Sequence, residues 1–331
     1  MGPLRVGVVG TGWIARDHIA ALARLDDVRV AAVCDLDGER AAHAAEAVGA
    51  RVYKGWRELL EREPLDAIWV CTPPLAHREP AVAALDRGLH VFLEKPLART
   101  LEDAAAVVAA AERSGSVCAV GYQWHALDLL DEVRRGLGPK GPGLLVGWSI
   151  GPTQSRPWFL DREQGGGQVL ERASHHIDLQ RAVAGDVLRV QAGATGARLG
   201  ARAEGDIDDA VCLLLHFAGG ALGAIQVAWT REGLDASFGL ELVAADASLH
   251  LALDPEFALS GIAGGKRVDA AADRPPFERG IERFLDAVRA GEPGRVSCTP
   301  ADAAATLAVA LACEEALASG ETVAVPDLVV P

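Results

Sequence analysis

The sequence predicts an α/β N-terminal domain with a doubly wound parallel sheet, followed by an α+β C-terminal domain with an open, mostly antiparallel sheet. Three observations carry this. Over the first 121 residues, short apolar runs rich in Val and Ile alternate with amphipathic stretches, the pattern of βαβ units. Beyond them, strand-like segments follow one another with turn signals and no helix between. The length, 331 residues, accommodates two domains, read as 1–121 and 122–331.

In the first domain the predicted strands are 4–9, 28–35, 65–72, 90–94 and 117–121. They are continuous apolar runs, as strands covered on both faces should be. The first helix, 13–25, places Ala15, Ile19 and Leu22 on one face. In the second domain a helix at 126–136 leads to a strand at 144–150, and a loop broken by Pro and Gly runs to 167. A helix at 168–184 precedes strands at 188–195, 210–217, 221–229, 237–244 and 249–253. Gly219-Gly220 signals a hairpin, and helices at 277–290 and 301–318 finish the chain.

Half the residues are apolar and 24% are charged, which suits a folded globular protein. A net charge of −14 argues against nucleic-acid or anionic-membrane partners, which require a basic face. No apolar run is long enough to span a bilayer, and the N-terminus enters its first strand without a charged leader. The six cysteines are scattered among apolar segments and read as reduced, buried thiols of a cytoplasmic protein.

Gly10-Thr11-Gly12-Trp13-Ile14-Ala15 is G-x-G-x-x-A, with a strand entering and a helix leaving. Gly10 permits the tight turn, Gly12 lets a pyrophosphate approach the backbone, and Ala15 keeps helix and strand close. The phosphates then sit at a helix N-terminus, where N–H groups and the dipole favour negative charge. Asp35, ending the second strand, is placed to accept from ribose hydroxyls. This is the signature of a Rossmann dinucleotide site. Asp35 and Asp37, with only Arg40 nearby, would repel a 2′-phosphate, so NAD is preferred over NADP. Thr72, Pro73 and His77 follow the third strand, and Glu94-Lys95-Pro96 follows the fourth. Both segments lie at the edge where doubly wound sheets bind ligands.

These residues, together with the segment from Gly165-Gly166-Gly167 through His175 to Asp178, resemble the Gfo/Idh/MocA oxidoreductases, the family of glucose–fructose oxidoreductase and inositol dehydrogenase. The resemblance spans nearly the whole chain. It implies that Lys95 and His175 are catalytic and that Glu171 stands where many members have Asp. Ala173 departs from a common Gly, and His125 from a common Arg or Asn. The residues alone say that on an α-helix Glu171, His175 and Asp178 would share a face, so that a carboxylate could orient an imidazole. A purely structural Glu–His pair at a domain interface would show the same spacing. His176 points elsewhere. No metal is expected, since there is no His-Glu-x-x-His and no paired Cys.

His125, Arg156, Trp158 and Asp178 are candidate substrate contacts. The expected reaction is hydride transfer between nicotinamide and a secondary alcohol or ketone of a sugar or cyclitol. The alternative is a non-catalytic dinucleotide-binding regulator or scaffold with the same fold. Alternating apolar residues such as Leu213, Leu215, Ile225 and Val227 leave a sheet face to be covered. With the family's habit of sheet-to-sheet contact, this implies a homodimer or homotetramer.

Overall fold

A computed structural model describes residues 2–152, 158, 160–196, 207–230 and 234–327. The chain divides into two compact units. The first comprises residues 2–121 with Gly280–Ala304, and the second Tyr122–Arg279 with 305–327. The sequence places one boundary at 121, and the further crossings at 279/280 and 304/305 are not visible in it. The reason lies in the core of the first unit. Phe284 is buried edge-on against Trp69 and Phe92, at centroid distances of 5.0 and 5.6 Å, while Trp69 and Phe92 stack on each other at 5.3 Å.

The first unit alternates strands and helices: β1 (Leu4–Val9), α1 (Trp13–Ala23), β2 (Val28–Cys34), α2 (Gly38–Val48), β3 (Arg51–Tyr53), α3 (Trp56–Arg62), β4 (Ala67–Val70), α4 (Arg78–Leu85), β5 (His90–Leu93), α5 (Leu101–Ser114) and β6 (Cys118–Val120). The six strands are parallel in the order β3-β2-β1-β4-β5-β6, so the order reverses beside β1. That switch point opens the crevice where doubly wound sheets bind dinucleotides. The Val and Ile of the central strands are almost wholly buried, as two-sided cover requires. β3, which the sequence reading missed, is three residues long and largely exposed, so it carries no apolar signature.

The second unit contains α6 (Leu130–Leu137), β7 (Leu144–Pro152), α7 (Arg162–Gly165), α8 (Ser174–Ala184), β8 (Val187–Thr195), β9 (Ala210–Phe217), β10 (Leu222–Thr230), β11 (Ser237–Ala244), β12 (Ala247–Asp254), β13 (Phe257–Ala263) and β14 (Lys266–Ala271). α9 (Pro276–Ala290) and α10 (Pro300–Ser319) each cross the boundary between units, and β15 (Val323–Ala324) closes the order. Among the described residues the strands run β14-β13-β12-β11-β7-β10-β9-β8-β15, with β7 and β10 paired in parallel and the other neighbours antiparallel. The expected open, mostly antiparallel sheet is therefore present, extended by β13–β15.

One face of this sheet packs inward. Leu213, Leu215, Ile225 and Val227 lie on that buried face, so they are not the residues left to be covered. The opposite face carries the exposed apolar side chains Leu144, Ile150, Val243 and Ile262. Among the described residues, no helix is long and apolar enough to cross a membrane.

Candidate active site

The β1–α1 turn is built from two glycines with different tasks. Gly10 adopts φ +87°, and a Cβ there would lie 2.8 Å from the backbone of Cys71, which follows β4. Only glycine meets both demands. Gly12, in contrast, has ordinary backbone angles, and a Cβ there would meet nothing within 4 Å. The open space beside it is what a pyrophosphate needs. Gly12 is also the N-cap of α1, where no side chain caps the helix and no carboxylate stands in the first turn. The positive end of α1 is left to an anion. Ala15 is fully buried, as close helix–strand packing requires.

Asp35 ends β2 beside this turn. Its Oδ2 accepts from the Thr11 N–H at 2.7 Å and the Thr11 hydroxyl at 3.0 Å. Its Oδ1 accepts from the Asp37 N–H at 2.8 Å and Arg40 Nη2 at 2.9 Å. Burial pushes the carboxyl pKa up, but the Asp37 and Thr11 N–H groups and the Arg40 guanidinium outweigh it and hold the group below its ordinary value. Thr11, expected at the cofactor, is fully buried and spends its N–H and hydroxyl on Asp35. Three large apolar side chains at this edge are exposed: Trp13 after β1, Leu36 after β2 and Leu75 after β4. Leu36 and Leu75 escaped the sequence reading. Their signal is an apolar residue in a loop at a ligand-binding strand end, which suits the flat faces of a base. The residues fit a dinucleotide.

Two expected cofactor contacts are buried. His77 is fully buried, with Nε2 2.8 Å from the Thr72 carbonyl and Nδ1 2.9 Å from the Pro96 carbonyl. It ties the loop after β4 to the loop after β5, and burial holds its pKa below the ordinary value. Glu94 is buried with Oε1 2.7 Å from His18 Nε2 on α1, while its Oε2 accepts the Lys95 N–H at 3.1 Å. Burial pushes the Glu94 pKa up, and the His18 and Lys95 contacts bring it below normal. Glu94 and His77 thus hold the Lys95-Pro96 segment in place. Thr72 and Pro73 remain at the strand edge, with the Thr72 hydroxyl donating to the Ala76 carbonyl at 3.2 Å.

In the second unit, the expected helix at 168–184 is two structures. Residues Val169–Ala173 form a π-helical turn that runs into α8. Such turns recur at functional sites, and the extra residue per turn alters the angular offset between Glu171 and His175 from the α-helical one. The His175 ring packs on Tyr122 and Trp124, with centroids at 5.9 and 5.2 Å. Asp178, expected at the substrate, is buried. It accepts from the Thr306 hydroxyl at 3.3 Å, and its Oδ2 lies 3.2 Å from His125 Nδ1. Arg181 Nη1 in turn donates to the Thr306 hydroxyl at 3.0 Å. Asp178 therefore supports His125, whose ring stays partly exposed.

His176 is fully buried, its Nε2 2.9 Å from the Trp148 carbonyl and 3.0 Å from the Ser149 hydroxyl. Burial pushes its pKa down to about 4, so it is a neutral strut between α8 and β7. Trp158 packs with Leu160 against Ile207 and Trp229. Arg156 lies outside the described residues.

Comparisons with known proteins agree with this fold. Residues 4–122 match the NAD-binding Rossmann-fold model of the Gfo/Idh/MocA oxidoreductase family, and residues 145–250 match a C-terminal domain model of the same family. The chain is similar to inositol 2-dehydrogenase 2 of Saccharopolyspora erythraea, at 33% identity over 96% of this chain and 94% of that one. It is also similar to 1,5-anhydro-D-fructose reductase of Ensifer adhaerens, at 30% identity over 71% of this chain and 72% of the relative. In fold it resembles levoglucosan dehydrogenase solved with NADH and L-sorbose, with a TM-score of 0.85 at 22% identity, covering 99% of this chain and all of that one. The chain belongs to the Gfo/Idh/MocA family of oxidoreductases, with an NAD-binding Rossmann domain at its N-terminus.

Proposed function

We propose that the chain is a dehydrogenase that interconverts a secondary alcohol and its ketone on a sugar or cyclitol, with NAD preferred. The observation that carries this is the position of Lys95. It follows β5 at the same strand edge as the Gly10–Gly12 turn, Asp35 and Thr72, held there by Glu94 and His77. A scaffold has no use for a lysine whose backbone is held at that edge. Relatives named as inositol, levoglucosan and anhydrofructose enzymes support a polyhydroxylated substrate.

Bound nicotinamide would supply the hydride acceptor or donor. Gly12 and the first turn of α1 would hold its diphosphate. In the oxidative direction His175 accepts the hydroxyl proton as the carbinol carbon gives up its hydride, and it returns the proton in reduction. Lys95 stabilises the negative charge that develops on the reacting oxygen. Glu171 orients His175 and supports its imidazolium. His125, backed by Asp178, is suited to hold a further substrate hydroxyl. The exposed apolar face of the second sheet supports a dimer or tetramer.

The test is a dehydrogenase assay with NAD and NADP separately across inositols, aldoses and keto-sugars, with light scattering on the same sample. Turnover of at least one polyol with NAD is expected. Dinucleotide binding without turnover on any member would favour the scaffold.

A further inference from the structure

We propose that Arg40 is an internal occupant of the ribose site, one that NAD must displace and NADP exploits. The inference rests on the dinucleotide reading of the β1–α1 turn. A carboxylate has about four acceptor positions. All four of Asp35 are filled by the chain itself: two by Thr11, one by the Asp37 N–H and one by Arg40 Nη2. A ribose diol that binds Asp35 must therefore replace one of these donors.

The four are not equally replaceable. The Thr11 and Asp37 N–H groups belong to the backbone of the β1–α1 turn and of the α2 cap, where the Asp37 side chain accepts from the Glu39 and Arg40 N–H groups. The Thr11 hydroxyl is fully buried. Arg40 alone is a long side chain with about half its surface exposed, held by Asp35 at 2.9 Å and by Asp37 at 3.5 Å. Ion pairs of this exposure are weak, so its departure is cheap. Arg40 is then the donor that leaves.

Its effect on the two cofactors is opposite in sign. Against NAD, Arg40 competes with the ribose hydroxyls for Asp35. With NADP, the 2′-phosphate arrives where the guanidinium already stands, and a planar fork of N–H donors suits a phosphate. Arg40 also masks the negative charge of Asp35 and Asp37 that would repel that phosphate. The preference between cofactors is thus set by a balance between Arg40 and the two aspartates, not by Asp35 alone.

The test is the dissociation constants of NADH and NADPH, read by cofactor fluorescence, for wild type, Arg40→Gln and Arg40→Lys. Arg40→Gln should bind NADH as tightly as wild type or more so, and should bind NADPH about 10-fold or more weakly, the scale of one lost charge-assisted contact. Arg40→Lys, which keeps charge but not the fork, should fall between. Equal weakening of both cofactors in Arg40→Gln, or an unchanged ratio, would overturn the proposal alone. Binding of neither cofactor by wild type would overturn the dinucleotide reading and this inference with it. Thermal melting checks that the surface substitutions fold.

Discussion

The two units of this chain build their sites in different ways. In the first, the candidate groups sit in short loops that each follow a strand: Gly10–Ile14 after β1, Asp35 after β2, Thr72–His77 after β4 and Lys95 after β5. The parallel sheet brings four loops to one edge, and a few hydrogen bonds from Asp35, Glu94 and His77 lock them. In the second, the candidate groups come from stretches far apart in sequence. His175 leans on Tyr122 and Trp124, and Asp178 joins His125 to Thr306. The lesson is that a site assembled on strand ends inherits its precision from the sheet, whereas one assembled on a helix needs props from remote segments. Substitutions should therefore separate binding from chemistry along this division.

The largest effect is expected at Lys95. Lys95→Ala should lower turnover by roughly 10²-fold or more, the scale for a positioned electrostatic or proton-transfer group. The NADH dissociation constant should change little. Near-normal turnover would remove Lys95 from the mechanism and leave the first unit a binding module only.

The two glycines of the turn sharpen the contrast between fold and ligand. Gly10→Ala forces a Cβ against the Cys71 backbone at a positive φ and should cost roughly 1–3 kcal/mol or more in thermal or urea unfolding. Gly12→Ala meets open space, so stability should change by at most about 1 kcal/mol. Its methyl would enter the space proposed for the diphosphate, and NADH affinity should drop instead. If both variants behave alike in melting and in binding, the division of labour between the glycines is wrong.

In the second unit, Glu171→Gln tests the orienting carboxylate. If Glu171 supports His175, removing its negative charge lowers the pKa of the imidazole. Since the base must be neutral to accept a proton, the rising limb of the pH–rate profile for oxidation should move to lower pH while the plateau falls. Glu171→Asp should retain substantial activity. An unchanged profile in the Gln variant would make the pair structural.

The last effect concerns stability and not turnover, and it lies at His176. Its pKa in the folded chain is about 4, against an ordinary 6.5. Between those values the unfolded chain binds a proton that the folded chain refuses. Its contribution is therefore whole above pH 6.5 and fades as pH falls towards 4, by up to ~3 kcal/mol. His77 has a shift of the same sign, so His176→Gln should flatten the pH dependence of unfolding in that window without abolishing it. An identical slope in wild type and variant would mean that His176 takes up its proton in the folded state.

Legibility in the sequence followed the same division. The Rossmann turn was readable because its reasons are local: a glycine for the bend, a glycine for the ligand, an alanine for packing. Asp35 was readable from its distance to that turn. The contacts of Glu94 and His77 were not readable, because their partners, His18 and Pro96, lie 76 and 19 residues away and no pattern couples them. The π-helical turn at Val169–Ala173 has no compositional mark, so an α-helical face was the natural expectation. The histidine doublet split into a strut and a candidate base only once β7 was in place. Gly147 opposite His176, where a Cβ would stand 2.6 Å from Nδ1, was the one trace of that contact in the sequence.

The central claim is that a carbinol hydride passes to NAD. It is tested most directly with inositols and aldoses deuterated at the carbinol carbons, incubated with NAD and the full chain, with mass spectrometry of the reduced cofactor. The account predicts one deuterium per NADH formed from the substrate that turns over, together with a slower single-turnover rate than for the protiated compound. NADH formed without deuterium, or a panel in which no member transfers its label, would contradict it.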